Sequence, residues 1–514
     1  MTDRSTSDLG SRSGFPAMAL PVAFLALAGS LAIAACSGRG ESPSGEPEQA
    51  ARSAPEAAAA RDDGDRATPM PGADLDGPIA VPAEQLAEQV VRRTYAADQL
   101  EGITVDLGRD RVAEPVDLPT PPRGGAVQFG FGDARRGWVA RVPESRQLPA
   151  AAYGDGKVYI SGGFDSVNFY AMDAETGRFE WATQNLEDNG PTAAIYDGGR
   201  VIFNTESCTL FALDARTGKR LWYKWLGDPT LAQTAVADGL IFAAHPVGGI
   251  GGSSATGTRL SAFRVESGKQ VWSRSIAGEL LATPVVHGDS VYASTIHGKT
   301  YRFVRRTGER VWAEKLRATT APWLVGDELY VSRRKDDREE QVVVSAETGQ
   351  VLREHHAVSG GYLGDVPRDL DNWRKVWEFE GSRPVVAGGV RYVAMGGEVH
   401  ATDAATGGHL WVRRHGTGAG KRSIGSVALA GPQIVMSTRN GQIFGLDIDT
   451  GYTLWAYDIG RPIVAQPIVA RGWVYVTSKD GYVVALQVGD TTLDGWHMFG
   501  GNPHHNGPVV SPRA

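Results

Sequence analysis

Asp173-Ala174-Glu175-Thr176-Gly177-Arg178-Phe179-Glu180-Trp181 is followed by the same pattern at Asp214-Ala215-Arg216-Thr217-Gly218 with Trp222. It returns at Asp403-Ala404-Ala405-Thr406-Gly407 with Trp411, and at Asp447-Ile448-Asp449-Thr450-Gly451 with Trp455. Weaker copies end in Gly268 with Trp272, Gly308 with Trp312, and Gly349, where Arg353 stands at the tryptophan position. A motif recurring about every 40 residues marks stacked supersecondary units, as in a β-propeller or solenoid. The residue types have structural causes. The Asp carboxylate accepts backbone N–H groups across a turn, and Gly takes the positive φ that the reversal needs. They are therefore read as turn formers, not as paired catalytic groups.

Working outward, each unit contains a strand such as Val158-Tyr159-Ile160, then a second such as Phe169-Tyr170-Ala171-Met172 leading into the turn, then a third carrying Trp. Their period-2 patches of β-branched and aromatic residues favour strands. First strands fall at Val158, Val201, Ile241, Val291, Tyr330, Tyr392, Val435 and Val474. The eighth unit lacks its outer strand, because Val488-Gly489 departs from the motif after Val484-Ala485-Leu486. Trp138 precedes Val158 by the same 20 residues that separate Trp181 from Val201. This spacing predicts that the strand around Trp138 completes the last blade. The fold class is then all-β, an eight-bladed propeller over residues 126–514. Trp138, Trp181, Trp222, Trp272, Trp312, Trp411 and Trp455 are expected to bury between neighbouring blades.

The chain has 514 residues, and its 52 basic and 59 acidic residues give a net charge of −7. That balance argues against nucleic acid as the main partner. Arg4 and Arg12 precede an apolar run ending Ile33-Ala34-Ala35-Cys36, the layout of a secretory signal over residues 1–35. An uncleaved membrane anchor is the alternative, since about 20 apolar residues can span a bilayer. Residues 36–77 are rich in Ser, Pro, Glu, Ala and Asp and read as a disordered tether. Residues 78–125 form a lead-in segment, with a short helix expected over residues 82–97. Cys208 is expected to be a small buried side chain on a strand.

Ile33-Ala34-Ala35-Cys36 resembles the bacterial lipobox, which implies acylation of Cys36 and a membrane attachment through lipid. Ser37 after the cysteine resembles outer-membrane sorting. The repeat itself resembles the pyrroloquinoline-quinone-type (PQQ-like) propeller family from about Phe129 to the C-terminus, and the segment Trp496-His497-Met498-Phe499-Gly500-Gly501-Asn502-Pro503 looks like one that flanks such propellers. That family includes quinoprotein dehydrogenases and also propellers without quinone, among them BamB-type outer-membrane assembly lipoproteins. Lipobox, size and blade count resemble the BamB type. This implies a non-catalytic scaffold in the cell envelope, facing the periplasm, whose partners are envelope proteins, with the outer-membrane assembly barrel as the candidate.

A dehydrogenase is the alternative, needing PQQ, Ca²⁺ held by oxygen ligands and a carboxylate base. A glycan or small-ligand propeller is a third reading. The sequence has no Cys-Cys pair, no Cys-x-x-Cys-His and no His-Glu-x-x-His. No catalytic, cofactor or metal residues are expected. Glu206 reads as a loop carboxylate, His355-His356 and His504-His505 as pairs whose side chains diverge, and residues 248–254 as a glycine-rich hairpin loop. Residues 333–340 form a mixed-charge run, either a solvated hairpin tip or a binding element. The repeat stretches to 58 residues between Gly349 and Gly407, and the insertion holds Tyr362, Trp373, Arg374 and Trp377. Aromatics with Arg suit a partner-docking hot spot, and a lid packed on its own ring is the alternative.

Overall fold

The computed structural model describes residues 112–183, 186–227, 233–247, 257–335, 338–355, 384–395, 398–414 and 427–507. Among these, the strands form eight sheets, antiparallel except for one added strand, six of four strands and two of five, arranged as the blades of a propeller. Blade 1 comprises Ala152–Gly154, Lys157–Ser161, Phe169–Asp173 and Phe179–Thr183, in that order from inside to outside. The signal, the tether and the helix expected over residues 82–97 lie outside the described residues.

Each blade has one strand more than the three read from the sequence. Innermost strands of three residues recur at Ile195–Asp197, Ala235–Ala237, Val285–His287, Trp323–Val325, Val385–Ala387, Ala428–Ala430 and Ile468–Ala470. Each joins the next strand through a tight turn such as Asp238-Gly239, both at positive φ. Asp-Gly is a strong hairpin signal that a search for period-2 alternation passes over, because three residues are too few to alternate.

Blade 8 is built from both ends of the domain. Arg135–Arg141 pairs antiparallel with Tyr482–Gln487, placing Trp138 opposite Ala485. Gly125–Phe131 then adds outside Arg135–Arg141, with Phe129 opposite Gly137. A side chain at Gly137 would meet the Phe129 ring at 2.6 Å. Blade 7 also receives an added strand, since Glu114–Pro115 pairs parallel with Thr453–Asp458. The lead-in residues 112–125 are thus partly strand.

The turn motif locks one blade to the next. In blade 1 the Asp173 carboxylate accepts from Glu175 N–H, Thr176 N–H and the Thr176 hydroxyl. The turn's carbonyl then receives the indole of the preceding blade. Trp138 Nε1 donates to Ala174 O at 2.9 Å, Trp181 to Ala215 O at 3.0 Å, Trp222 to Val265 O at 2.8 Å, Trp272 to Arg305 O at 2.8 Å and Trp312 to Ala346 O at 3.0 Å. The ring lies flat on the turn's glycine. At Gly177 φ is +71° and a Cβ would stand 2.4 Å from the Trp138 ring, so both conformation and space demand glycine. Tyrosines on the second strand add bonds to the same carbonyls, Tyr159 to Ala215 O and Tyr475 to Ala174 O. Burial pushes both phenols well above their ordinary range.

Two junctions differ. Trp411 packs on Gly451 as the motif requires. Trp455, however, folds back on its own blade. Its Nε1 donates to Gln433 Oε1 at 2.8 Å, and its ring occupies the space where a Cβ of Gly445 would stand. The cause is the next blade, where Val488-Gly489 offers no turn of the repeating kind. In blade 5, Arg353 occupies the tryptophan register opposite Val343 but makes a bidentate pair with Glu328 of its own blade, both contacts at 2.7 Å. That pair holds the Glu328 carboxyl below its usual range. His355, two residues on, lies against Gly407 instead.

Trp138 is fully buried. Trp138→Ala is therefore expected to destabilise the protein by about 3–5 kcal/mol in denaturant unfolding. An unchanged unfolding midpoint contradicts the closure of the ring by this strand.

Candidate functional site: the closed axis and the open rim

An innermost strand has one paired side and one that faces the channel. Its middle residue turns N–H and C=O toward the axis, where they need partners. The C-terminal segment supplies several. Tyr153 N–H donates to His497 O, Val236 N–H to Pro503 O, Val286 N–H to His504 O, and Val469 exchanges two bonds with Trp496. Asn506 Nδ2 donates to Val286 O at 2.9 Å. Trp496 is fully buried and stacks on Trp323 of blade 5 with ring centroids 6.1 Å apart and planes 8° from parallel. The buried ring of His505 clamps the segment, with Nδ1 2.7 Å from Phe499 O and Nε2 2.6 Å from Thr234 O. Phe499 packs against Ala150 and Ala193, just before the innermost strands of blades 1 and 2. Gln466 completes the seat, accepting from Gly500 N–H and donating to Val427 O. The axis is thus filled by the chain's own residues at the end reached by this segment.

The face bearing the long hairpins is polar. Glu144 Oε1 accepts from Ser166 Oγ, Asn168 Nδ2 and Tyr170 OH, pinning the segment before blade 1 to that blade's hairpin. Glu206 is half-buried and accepts Asp165 N–H at 3.1 Å. Burial, with Asp165 and Asp188 nearby, raises its carboxyl above the usual range. Its loop position agrees with the sequence reading. Arg146 pairs with Asp165 at 2.6 Å. Cys208 is buried as expected but sits in a hairpin loop at φ +60°, just before Thr209–Asp214, and not on a strand; its sulfur is 3.7 Å from Ala244 O. Among the described residues no three His, Cys, Asp or Glu side chains are placed to hold a metal ion.

The proposed partner-docking residues Tyr362, Trp373, Arg374 and Trp377 lie outside the described residues, as do Cys36 and residues 248–256. What the structure describes is the insertion's root. The chain leaves blade 5 at Val351–His355 and returns at Val385–Ala387 of blade 6. Residues 328–345 form a long hairpin whose backbone register sets Arg333 opposite Glu340 and Arg334 opposite Glu339. Arg333 also meets Glu354 at 2.8 Å, so one end of the charged run is tied to its own blade. Near the root, His355 is half-buried and His409 is buried, with Arg391 close to both. Burial first, then Arg391 and Arg353, lowers His355 to about 4. Burial, then His400 and Arg391, lowers His409 to about 4.

A family model described as outer membrane protein assembly factor BamB matches residues 126–355 and 395–505. The chain belongs to this BamB family. It is 26 % identical to BamB of Yersinia pestis over 318 residues, covering 58 % of this chain and 75 % of the relative. It is also 24 % identical to a tetrathionate hydrolase of Acidithiobacillus ferrooxidans over 435 residues, covering 72 % and 82 %. The crystal structure of BamB from Moraxella catarrhalis has the same fold, with a TM-score of 0.52 at 18 % identity, covering 70 % of this chain and all of that one. The PQQ-like repeat resemblance read from the turn motif, with BamB as the nearest model, is therefore shown. The filled axis, which the sequence reading did not foresee, has one signal in the sequence, the aromatic and glycine-rich stretch beginning at Trp496.

The two histidines set a pH dependence. Their folded pKa, about 4, lies below the ordinary 6.5. As pH falls from about 6.5 the unfolded chain takes up protons that the folded chain refuses, so stability declines until about pH 4 and these groups then add no further loss. Unfolding midpoints measured from neutral pH to pH 4 should fall. His355→Gln with His409→Gln should make the decline shallower. An equal slope in that variant assigns the pH dependence to other groups.

Proposed function

We propose that this chain is a non-catalytic, lipid-anchored scaffold of the cell envelope, acting in outer-membrane protein assembly. The observation that carries this reading is the match to the BamB family model over most of the propeller. The axis adds weight. A propeller usually offers its mouth to a small ligand, and here the chain's own Trp496, Met498, Phe499 and His505 are buried there. Contact surface then remains on the rim, the hairpin face and the insertion holding Tyr362, Trp373, Arg374 and Trp377. Acylation of Cys36 would fix the protein to the outer membrane on its periplasmic side, and residues 36–77 would let the propeller stand off from it. No cofactor is required in this reading.

The direct test is to tag the native lipoprotein, solubilise envelopes gently and identify what co-purifies. Enrichment of the outer-membrane assembly barrel is expected. Its absence with the bait intact contradicts the assembly role. Cys36→Ser should release the protein from membranes, and unchanged membrane fractionation argues against the anchor.

An enzymatic reading is favoured by the tetrathionate hydrolase relative aligned over 72 % of this chain and by a quinoprotein ethanol dehydrogenase of Pseudomonas putida, 32 % identical over 29 % of it. Consumption of tetrathionate by the purified protein, or dye reduction dependent on added PQQ and Ca²⁺, would establish it in place of the scaffold.

A further inference from the structure

Blade 2 ends in Arg220–Trp225, the outermost strand of its sheet. Edge strands carry unpaired backbone groups and are usually protected by charge or kept short. Like the outer strands that expose Val271, Val311 and Leu352, it exposes an apolar residue before the tryptophan, Leu221, but it adds two exposed rings after it, Tyr223 at 55 % and Trp225 at 39 %. The equivalent positions after the tryptophan are Ser273 and Ser275 in blade 3, and Ala313 and Lys315 in blade 4. The two exposed rings therefore belong to blade 2 and not to the repeat.

The backbone alternation is fixed by the next residue. Leu226 N–H donates inward to Cys208 O at 2.9 Å, and Trp225 stands opposite Thr209. Alternation along an antiparallel pair then turns the N–H and C=O of Tyr223 and Trp225 outward. The two residues with exposed rings are the two whose backbone groups face away from the blade.

The same chain shows what such an edge accepts. In blade 8, Arg141 O receives Gly124 N–H at 2.8 Å, at the start of the added strand Gly125–Phe131. In blade 7, Asp458 O receives Val116 N–H at 2.8 Å, next to the added strand Glu114–Pro115. Arg141 and Asp458 lie three residues after Trp138 and Trp455, as Trp225 lies three after Trp222. Among the described residues nothing adds to the corresponding edge of blade 2.

We propose that the outer edge of blade 2 takes an extended segment of a partner protein as a fifth strand, centred on Tyr223 and Trp225. Charge sets the partner's chemistry. Arg216, Lys219, Arg220 and Lys224 surround the edge, and Arg220 lies over the Tyr223 ring at 4.6 Å from its centroid. Glu187, 3.6 Å from Arg220, shows the carboxylate pairing available there. The segment therefore alternates apolar with acidic residues. A second copy of this chain is disfavoured, because two such strands side by side would bring like charges together. Main-chain bonds give affinity in this mode and alternate side chains give specificity.

This deepens the scaffold reading and rests on it, but its test is separate from co-purification, which can fail or succeed independently. The probe is a short, blocked, fluorescein-labelled peptide alternating glutamate with valine or phenylalanine, titrated against the full-length protein by anisotropy. Saturable binding is expected. Tyr223→Ser with Trp225→Ser should weaken it at least about tenfold. N-methylation of alternate backbone nitrogens along one edge of the peptide should abolish binding to the unaltered protein. That arm holds even if the double variant fails to fold. A lysine-for-glutamate peptide should bind worse.

Equal binding of the N-methylated peptide, equal binding by a folded double variant, or no binding at millimolar peptide overturns the proposal. So does preferential binding to phosphatidylglycerol vesicles that the double variant loses, which would make this a membrane-facing patch. A dimer in sedimentation that the double variant abolishes would assign the edge to a second copy and equally overturn it.

Discussion

A strand edge is a row of hydrogen-bonding groups that must find partners, and the propeller multiplies this demand. Every blade has an inner edge at the axis and an outer edge at the rim. At the rim this chain covers blade 8 with Gly125–Phe131 and blade 7 with Glu114–Pro115. At the axis it lays the segment from Trp496 to Gly507 across Tyr153, Val236, Val286 and Val469. The interblade locks depend on the same rule. An indole N–H such as that of Trp181 finds the carbonyl of Ala215, which the tight turn leaves available.

The sequence made much of the ring legible because the lock requires specific residues. Asp173 must accept several N–H groups, Gly177 must take positive φ beneath a ring, and Trp138 must reach it. Few other residues do these things, so the pattern survives as letters. Even closure was readable, since the 20-residue offset of Trp138 comes from strand lengths common to all blades. The innermost strands left little trace because Ala235-Val236-Ala237 is too short for alternation. Trp455 could not be placed because its environment depends on the blade after it, where the expected turn is missing. Arg353 was recognised as out of pattern, but its pairing with Glu328 and the substitution of His355 against Gly407 are tertiary facts. The tail's place across the axis was illegible for the same reason. Most of its partners, Tyr153, Val236 and Val286 among them, lie far away in sequence.

Function follows from where surface is left. Trp496 and His505 are buried at the axis, at the end that the C-terminal segment reaches. The parts that depart from the repeat are the insertion after His355, the charged hairpin at Arg333 and the exposed rings of Tyr223 and Trp225. The family model matches the repeated part, so the ring is what this chain shares with the BamB family.

Amide hydrogen exchange of the intact protein bears most directly on how the edges are satisfied. Closure of the axis predicts that the amides of Tyr153, Val236, Val286 and Val469 exchange as slowly as the blade cores, while those of Tyr223 and Trp225 exchange fast without a partner. Inner-strand amides that exchange as fast as Tyr223 and Trp225 would mean that the C-terminal segment does not close the channel.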